Sequence, residues 1–169
     1  MLRWLIEKVA ASPPQGSKGF AGVVRANLVG TDEETVRIVV ALAGLLGTVA
    51  YADRHFALEE EQRIRQELER VEALTPAGVD AVCAALRVHI VEISTIEAPF
   101  YARELLAVVD RDFRLQVLDT LVDLAAADNV ITVPETNVLR LTATALGLTQ
   151  DDYNASQMRH RDKLKVLKR

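Results

Sequence analysis

One cysteine, Cys83, is all the chain has. That excludes an internal disulfide and a cysteine-based zinc site, and it suits a reducing compartment. There is no excess of basic charge: the 169 residues carry a net charge of -4. Nucleic acid is therefore not expected as a partner, since binding it relies on neutralising phosphates with surplus Lys and Arg. No long hydrophobic run is present. The longest, Ile38 to Ala52, is interrupted by Gly44, Gly47 and Thr48 and falls short of the roughly 18 residues a membrane span needs. The N-terminus lacks a secretory pattern, because Glu7 and Lys8 break its apolar segment. A cytoplasmic protein is expected. Gly-rich phosphate loops and His-Glu-x-x-His are missing, as is the Glu-x-x-His of carboxylate-bridged di-metal bundles. Cys83 lies in Val82-Cys83-Ala84-Ala85-Leu86 and reads as a core residue, too far from His89 for i, i+4 pairing. Nucleophilic catalysis has no candidate pair, and the chain is expected not to be an enzyme.

Strand alternation and hairpin signals are also absent. What is present is helical periodicity. The expected fold is all-α, a compact bundle of seven to eight helices with internal pseudo-two-fold symmetry. Residues 1–19 read as an arm, a short helix over Met1 to Ala11 followed by the breaker Ser12-Pro13-Pro14-Gln15-Gly16-Ser17. The arm could pack as an extra helix or lie on a membrane surface. Residues 20–169 read as one helical domain. Thr31 and Glu34 fit a capping box opening a helix through Tyr51 that is apolar on nearly every face, hence central. Gly44 and Gly47 would let neighbours approach it closely. Further helices are expected over Glu59 to Leu74, Ala77 to Ser94, Ala98 to Val109, Arg111 to Ala127, Pro134 to Leu146 and Gln150 to Leu167. Glu104, Asp110, Asp112, Asp119 and Asp123 read as solvated faces. The basic run from Arg159 to Arg169 reads as a solvated helix end, with an anionic partner as the alternative.

Within this pattern one element occurs twice. Ala-Tyr-Ala-Asp-Arg-His-Phe-Ala-Leu-Glu-Glu includes Asp53 and Glu60; Ala-Ala-Ala-Asp-Asn-Val-Ile-Thr-Val-Pro-Glu includes Asp128 and Glu135. The two copies lie 75 residues apart (53 to 128, 60 to 135). An aspartate at a helix C-terminus opposes the dipole there. Two such choices call for a nearby positive charge or a hydrogen bond from the turn. A cation held by Asp53, Glu60, Asp128 and Glu135 would meet oxygen donors, which suits Ca²⁺, Mg²⁺ or Mn²⁺. Zn²⁺ is less suited, for His55 has no counterpart at Val130. The innocent alternative is that Asp128 ties down its turn and Glu135 completes a capping box with Thr132. Ala57 stands where Thr132 does, so in the first copy the glutamate is kept without its capping partner.

Ala52-Asp53-Arg54-x-Phe56-x-x-x-Glu60 and Ala127-Asp128-Asn129-x-Ile131-x-x-x-Glu135 resemble the recurring element of the tellurite-resistance TerB family. The fold of that family is also found in the N-terminal region of a membrane-anchored DnaJ-like co-chaperone. The resemblance extends over about Thr31 to Tyr153. It implies an all-α pseudo-symmetric bundle and a divalent-cation site at Asp53, Glu60, Asp128 and Glu135. It also implies a protein partner, a role in bacterial stress response, and a location in the cytoplasm or peripheral to the inner membrane. No His-Pro-Asp triplet occurs, so the co-chaperone's J-domain is absent from this sequence. The family glycine after each aspartate is replaced by Arg54 and Asn129. Asn enters the left-handed region readily and Arg less so, and Arg54 sets a positive charge beside the expected cation.

Overall fold

A computed structural model describes residues 17–164 of the chain. The expected N-terminal helix, the Pro-containing breaker and the last basic residues lie outside that range. The described residues form eight α-helices: α1 (Ser17–Ala26), α2 (Glu33–Ala50), α3 (Leu58–Glu69), α4 (Pro76–Glu92), α5 (Ala98–Val108), α6 (Arg111–Ala125), α7 (Val133–Ala145) and α8 (Gln150–Met158). A π-helical segment, Ile93–Glu97, carries α4 into α5, so these make seven separate rods. The all-α bundle expected from periodicity is the fold found.

α2 is the axis of the bundle. Twelve of its residues are buried, from Val36 to Ala50, and it packs against every helix from α1 to α7. Each fully buried Leu or Val contributes roughly 1.5–3 kcal/mol, so a helix this apolar is stable only when surrounded. Its start differs from expectation. Asp32, not Thr31, is the N-cap, accepting from Thr35 N at 2.9 Å and from the Thr35 hydroxyl at 2.7 Å. A carboxylate at that position satisfies an orphan N–H and complements the helix dipole as well.

Gly44 is where α5 comes closest. A Cβ there would sit 2.5 Å from the ring of Tyr101, which is fully buried and edge-on to Phe20 and Phe100. The Tyr101 hydroxyl donates to the buried carboxyl of Glu97. Burial raises the pKa of Glu97, against the pull of the Tyr101 hydroxyl, and burial and Glu97 together raise that of Tyr101. The π segment that carries Glu97 has a local cause. Pro99 lacks an N–H and its ring would crowd the carbonyl of Thr95. The Ser94 and Thr95 hydroxyls both donate to Val91 O, at 3.2 and 2.6 Å. The two helices expected on either side of this segment are therefore one rod.

Two further expectations are corrected. Residues 17–19, assigned to the linker, begin α1, which lies along α4 with Gly19 beside His89 and Asn27 beside Gly78. The last helix ends at Met158 rather than Leu167. The chain turns there, Ile131 N donates to Lys163 O at 2.9 Å, and Leu164 is buried next to Ile131. Burying Leu164 competes successfully with continuing a polar helix into solvent. Gly147, at φ +69, ends α7 as expected. No helix among the described residues is long and apolar enough to cross a membrane.

Gly44→Ala should cost about 1–3 kcal/mol, as overpacking does, and lower the melting temperature by several degrees. Gly22→Ala, in α1 with open space around it, should instead raise stability by roughly 0.5–1 kcal/mol. Thermal unfolding of the two variants checks the contrast.

Candidate functional site

The two acidic turns are built alike, bond for bond. After α2, Ala52 N donates to Val49 O and Arg54 N to Tyr51 O, at 3.1 and 3.0 Å. After α6, Ala127 N donates to Leu124 O and Asn129 N to Ala126 O, at 2.9 and 3.1 Å. Each turn then passes through the left-handed region at its third position, Arg54 at φ 65 and Asn129 at φ 70. The aspartates hold these reversals: Asp53 accepts from His55 N at 2.8 Å, and Asp128 from Val130 N at 3.0 Å. That is the Asx arrangement, a side chain standing in for a backbone acceptor. The hydrogen bond from the turn, one of the two expected answers to an aspartate at a helix end, is thus present in both copies. Phe56 packs on the core and Ile131 enters it completely, which anchors each turn to the bundle.

The glutamates follow one turn later. Glu60 accepts from Ala57 N at 3.0 Å, and Glu135 from Thr132 N at 2.6 Å. In the second copy the box closes, since the Thr132 hydroxyl accepts from Glu135 N at 3.3 Å. Ala57 has no oxygen to return the bond, so Glu60 caps α3 alone. Both carboxyls are buried, at 5% and 4% exposure, and they meet within hydrogen-bonding reach of each other. Asp53 and Asp128 stay exposed on the rim, Asp53 within electrostatic range of Glu60 and Asp128 of Glu135. The four expected residues thus divide into a central buried pair and two flanking turn-holders. Among the described residues, no three His, Cys, Asp or Glu side chains are grouped so as to hold a metal ion.

Two carboxyls buried together cannot both be ionised without cost. Desolvation, the charge and hydrogen bond of Glu135 and the charge of Asp53 push Glu60 up to about 8, against the pull of Ala57 N. Desolvation and the charge of Asp128 raise Glu135 too, although its bonds to Thr132 and the proton shared with Glu60 favour its charged form. Burial and mutual charge thus make both glutamates hold a proton more tightly than free carboxyls do. Chemically, the pair is a place where protons are retained.

Sequence reasoning missed the polar cluster beside the second turn. Asp123 binds His160 at 2.7 Å, Arg159 at 3.3 Å and Arg63 at 3.8 Å. Asp119 accepts from Ser156 at 2.6 Å, and Glu104 pairs with Arg37 at 2.8 Å. Asp110 caps α6 through Phe113 N at 2.8 Å. Glu104 and Asp123 are thus partly buried structural partners, whereas Asp110, Asp112 and Asp119 keep much of the exposure their spacing suggests. Arg159 and His160 from the basic run serve Asp119 and Asp123, and Lys163 donates to Ala126 O at 3.2 Å, on the C-terminal end of α6. Arg63, Asp123, His160 and Lys163 line an open polar groove of about 490 Å³. Pairings across 37 residues leave no mark in local periodicity. His55 is exposed in its turn, and Cys83 is buried with its thiol pushed up by burial, so it has no reactive character.

A protein-family comparison matches residues 39–158 to the family described as tellurite resistance protein TerB. No curated protein and no solved structure matches the chain.

Two outcomes are expected. Because the folded state holds the proton of Glu60 more tightly than an ordinary carboxylate near 4.3 does, its stabilising contribution is complete below that value. It is lost as pH rises towards about 8. Melting temperature should fall across that window, and Glu60→Gln, which keeps a capping oxygen, should flatten the decline. Separately, Arg54→Gly should stabilise the fold by about 1 kcal/mol, because a left-handed L-residue costs roughly 1–2 kcal/mol, less the entropy Gly loses. Asn129→Gly should gain less, as denaturant melts would read.

Proposed function

The chain belongs to the tellurite-resistance TerB family, and from that premise we propose that it is a non-enzymatic binding module whose paired acidic turns take a divalent cation. The observation that carries the reading is the buried Glu60–Glu135 pair. Two hard oxygen donors meet at the first turns of α3 and α7, where helix dipoles favour negative charge, with Asp53 and Asp128 adding to the field. One or two carboxylates with the remaining positions left to water is the way Mg²⁺ is commonly held. Mn²⁺ and Ca²⁺ accept the same donors, and Zn²⁺ suits them less. With the aspartates engaged in their turns, the glutamates are the primary ligands and the aspartates act through charge or through water. The matched turns are in keeping with a two-fold pseudo-symmetric site, one half from each repeat, within a domain spanning 20–169.

The wider role follows the family: a protein-interaction module in bacterial stress response, in the cytoplasm or peripheral to the inner membrane, and not directed at nucleic acid. A second reading, an interaction domain without metal, is favoured by one observation. Each of the four carboxylates already accepts a backbone N–H. A metal-dependent hydrolase is the third alternative.

Calorimetric titration with Mg²⁺, Mn²⁺, Ca²⁺ and Zn²⁺ separates these readings. Cation binding should release protons, seen as heat that varies with the buffer's ionisation enthalpy, and should raise the melting temperature most above neutral pH. Glu135→Gln should abolish both effects, and Asp128→Ala should weaken them. Absence of heat and stabilisation with all four ions would sink the cation reading in favour of the metal-free one. Metal-dependent turnover in a phosphatase and esterase screen, lost in Glu135→Gln, would favour the hydrolase.

A further inference from the structure

A narrow groove of about 220 Å³ lies over α2, between α7 on one side and the π segment with α5 on the other. Thr48 of the central helix forms its floor and is 3% exposed. Thr95 and Pro99 stand on one wall, Val138 and Leu141 on the other. Among the described residues, no charged side chain lines it. Its polar side chains are hydroxyls. Thr48, Thr95, Thr120, Thr136 and Thr144 each donate the hydroxyl to the carbonyl four residues back, a common way for a threonine to be satisfied within a helix. Thr142 is different. It is 6% exposed, yet its hydroxyl has no hydrogen-bond partner among the described residues. That oxygen is not sealed in the core either, so it opens on the groove that Thr142 borders.

The opposite wall adds acceptors. Pro99 has no N–H to give to Thr95 O or Ser94 O, the carbonyls four and five residues before it. The π turn ahead of Pro99 therefore leaves backbone acceptor capacity at Ser94 and Thr95, and both residues line the groove. A free hydroxyl on one wall and carbonyls on the other, with apolar surface between, is how small-molecule sites are composed. Size sets the scale of the ligand. An apolar cavity of about 150 Å³ holds benzene, so this groove suits one substituted ring. Charge sets its class. An ion entering here would lose its hydration with no opposite charge to replace it. The groove shares no residue with the acidic turns.

We propose that this groove binds a small neutral molecule with one apolar ring and one hydroxyl or amide group, which bonds the Thr142 hydroxyl and the Ser94–Thr95 backbone. p-Cresol is the probe. Toluene, which lacks the hydroxyl, and benzoate, which is charged, are its controls. In methyl NMR titrations of the full chain, p-cresol should shift the Thr48, Val138 and Thr142 methyls saturably. Its affinity should be millimolar or tighter, as a ligand of about eight heavy atoms allows. Toluene should bind several times more weakly, and benzoate should leave those methyls unmoved. Thr142→Val keeps the shape and removes the hydroxyl. It should weaken p-cresol about three- to tenfold and leave toluene unaffected. Ala98→Leu, at a half-buried position on the groove, should abolish binding of both neutral probes. The contrast between probes in Thr142→Val decides the matter even where Ala98→Leu fails to fold. Absence of saturable shifts with p-cresol would overturn the proposal, as would binding that survives Ala98→Leu in a folded protein. Equal losses for p-cresol and toluene in Thr142→Val would refute it by making Thr142 a packing residue only. Groove shifts that grow with protein concentration and need no probe would also refute it, by assigning the groove to a second copy.

Discussion

The contact between Gly44 and Tyr101 is the constraint on which the rest of the bundle depends. α2 is too apolar to face water on any side, so the other helices must enclose it. The rod of α4 and α5 can do so only where a hydrogen replaces a side chain. Tyr101 fills that place, and its hydroxyl needs an acceptor inside the core. Glu97 supplies one, and burial pushes its pKa up. The π turn places Glu97 one helical turn before Tyr101 on the same inward face. A small residue on one helix thus fixes the approach, the polar pair and the irregular segment of its neighbour.

The acidic turns inherit their position from the same arrangement. One follows the central helix α2, the other follows α6, and these two helices pack on each other. Their ends deliver the chain into two reversals with matching hydrogen bonds, and the helices that start afterwards bring Glu60 and Glu135 into contact. Neither glutamate is unusual by itself, for each caps a helix by accepting a backbone N–H. Their meeting in a buried place turns two caps into a pair whose pKa values are both raised. Capping and a raised pKa are therefore properties of the same four oxygens, and the capping role of the turns is compatible with the proposed one.

The outer polar network has a different logic. Asp119 and Asp123 draw the chain after Met158 back over α6, with Arg159 and His160 as their partners and Lys163 at the helix end. This stops α8 and lets Leu164 cover Ile131, the apolar anchor of the second turn. The surroundings of the two turns therefore differ although their backbones agree. Arg54 and Asn129 show the agreement most clearly, because a left-handed arginine is tolerated only where the turn demands it.

Helix content, the central place of α2, the close approaches at its glycines and the repeat of the acidic turns were all legible in the sequence. Each rests on spacing within one segment, where periodicity and turn chemistry act locally. The capping role of Glu135 and the turn-holding role of Asp128 were legible for the same reason. The chain order of residues could not say that α4 and α5 are continuous, that Leu164 reaches Ile131, or that Asp123 is an internal partner. Those depend on which faces are brought together, and packing outweighs local preference there. The sequence by itself determined two acidic turns with the same Asp-to-Glu spacing but unequal neighbours. Only the tertiary structure decided that their glutamates would be buried against each other, because shared desolvation exists once the two helix ends are close and not before.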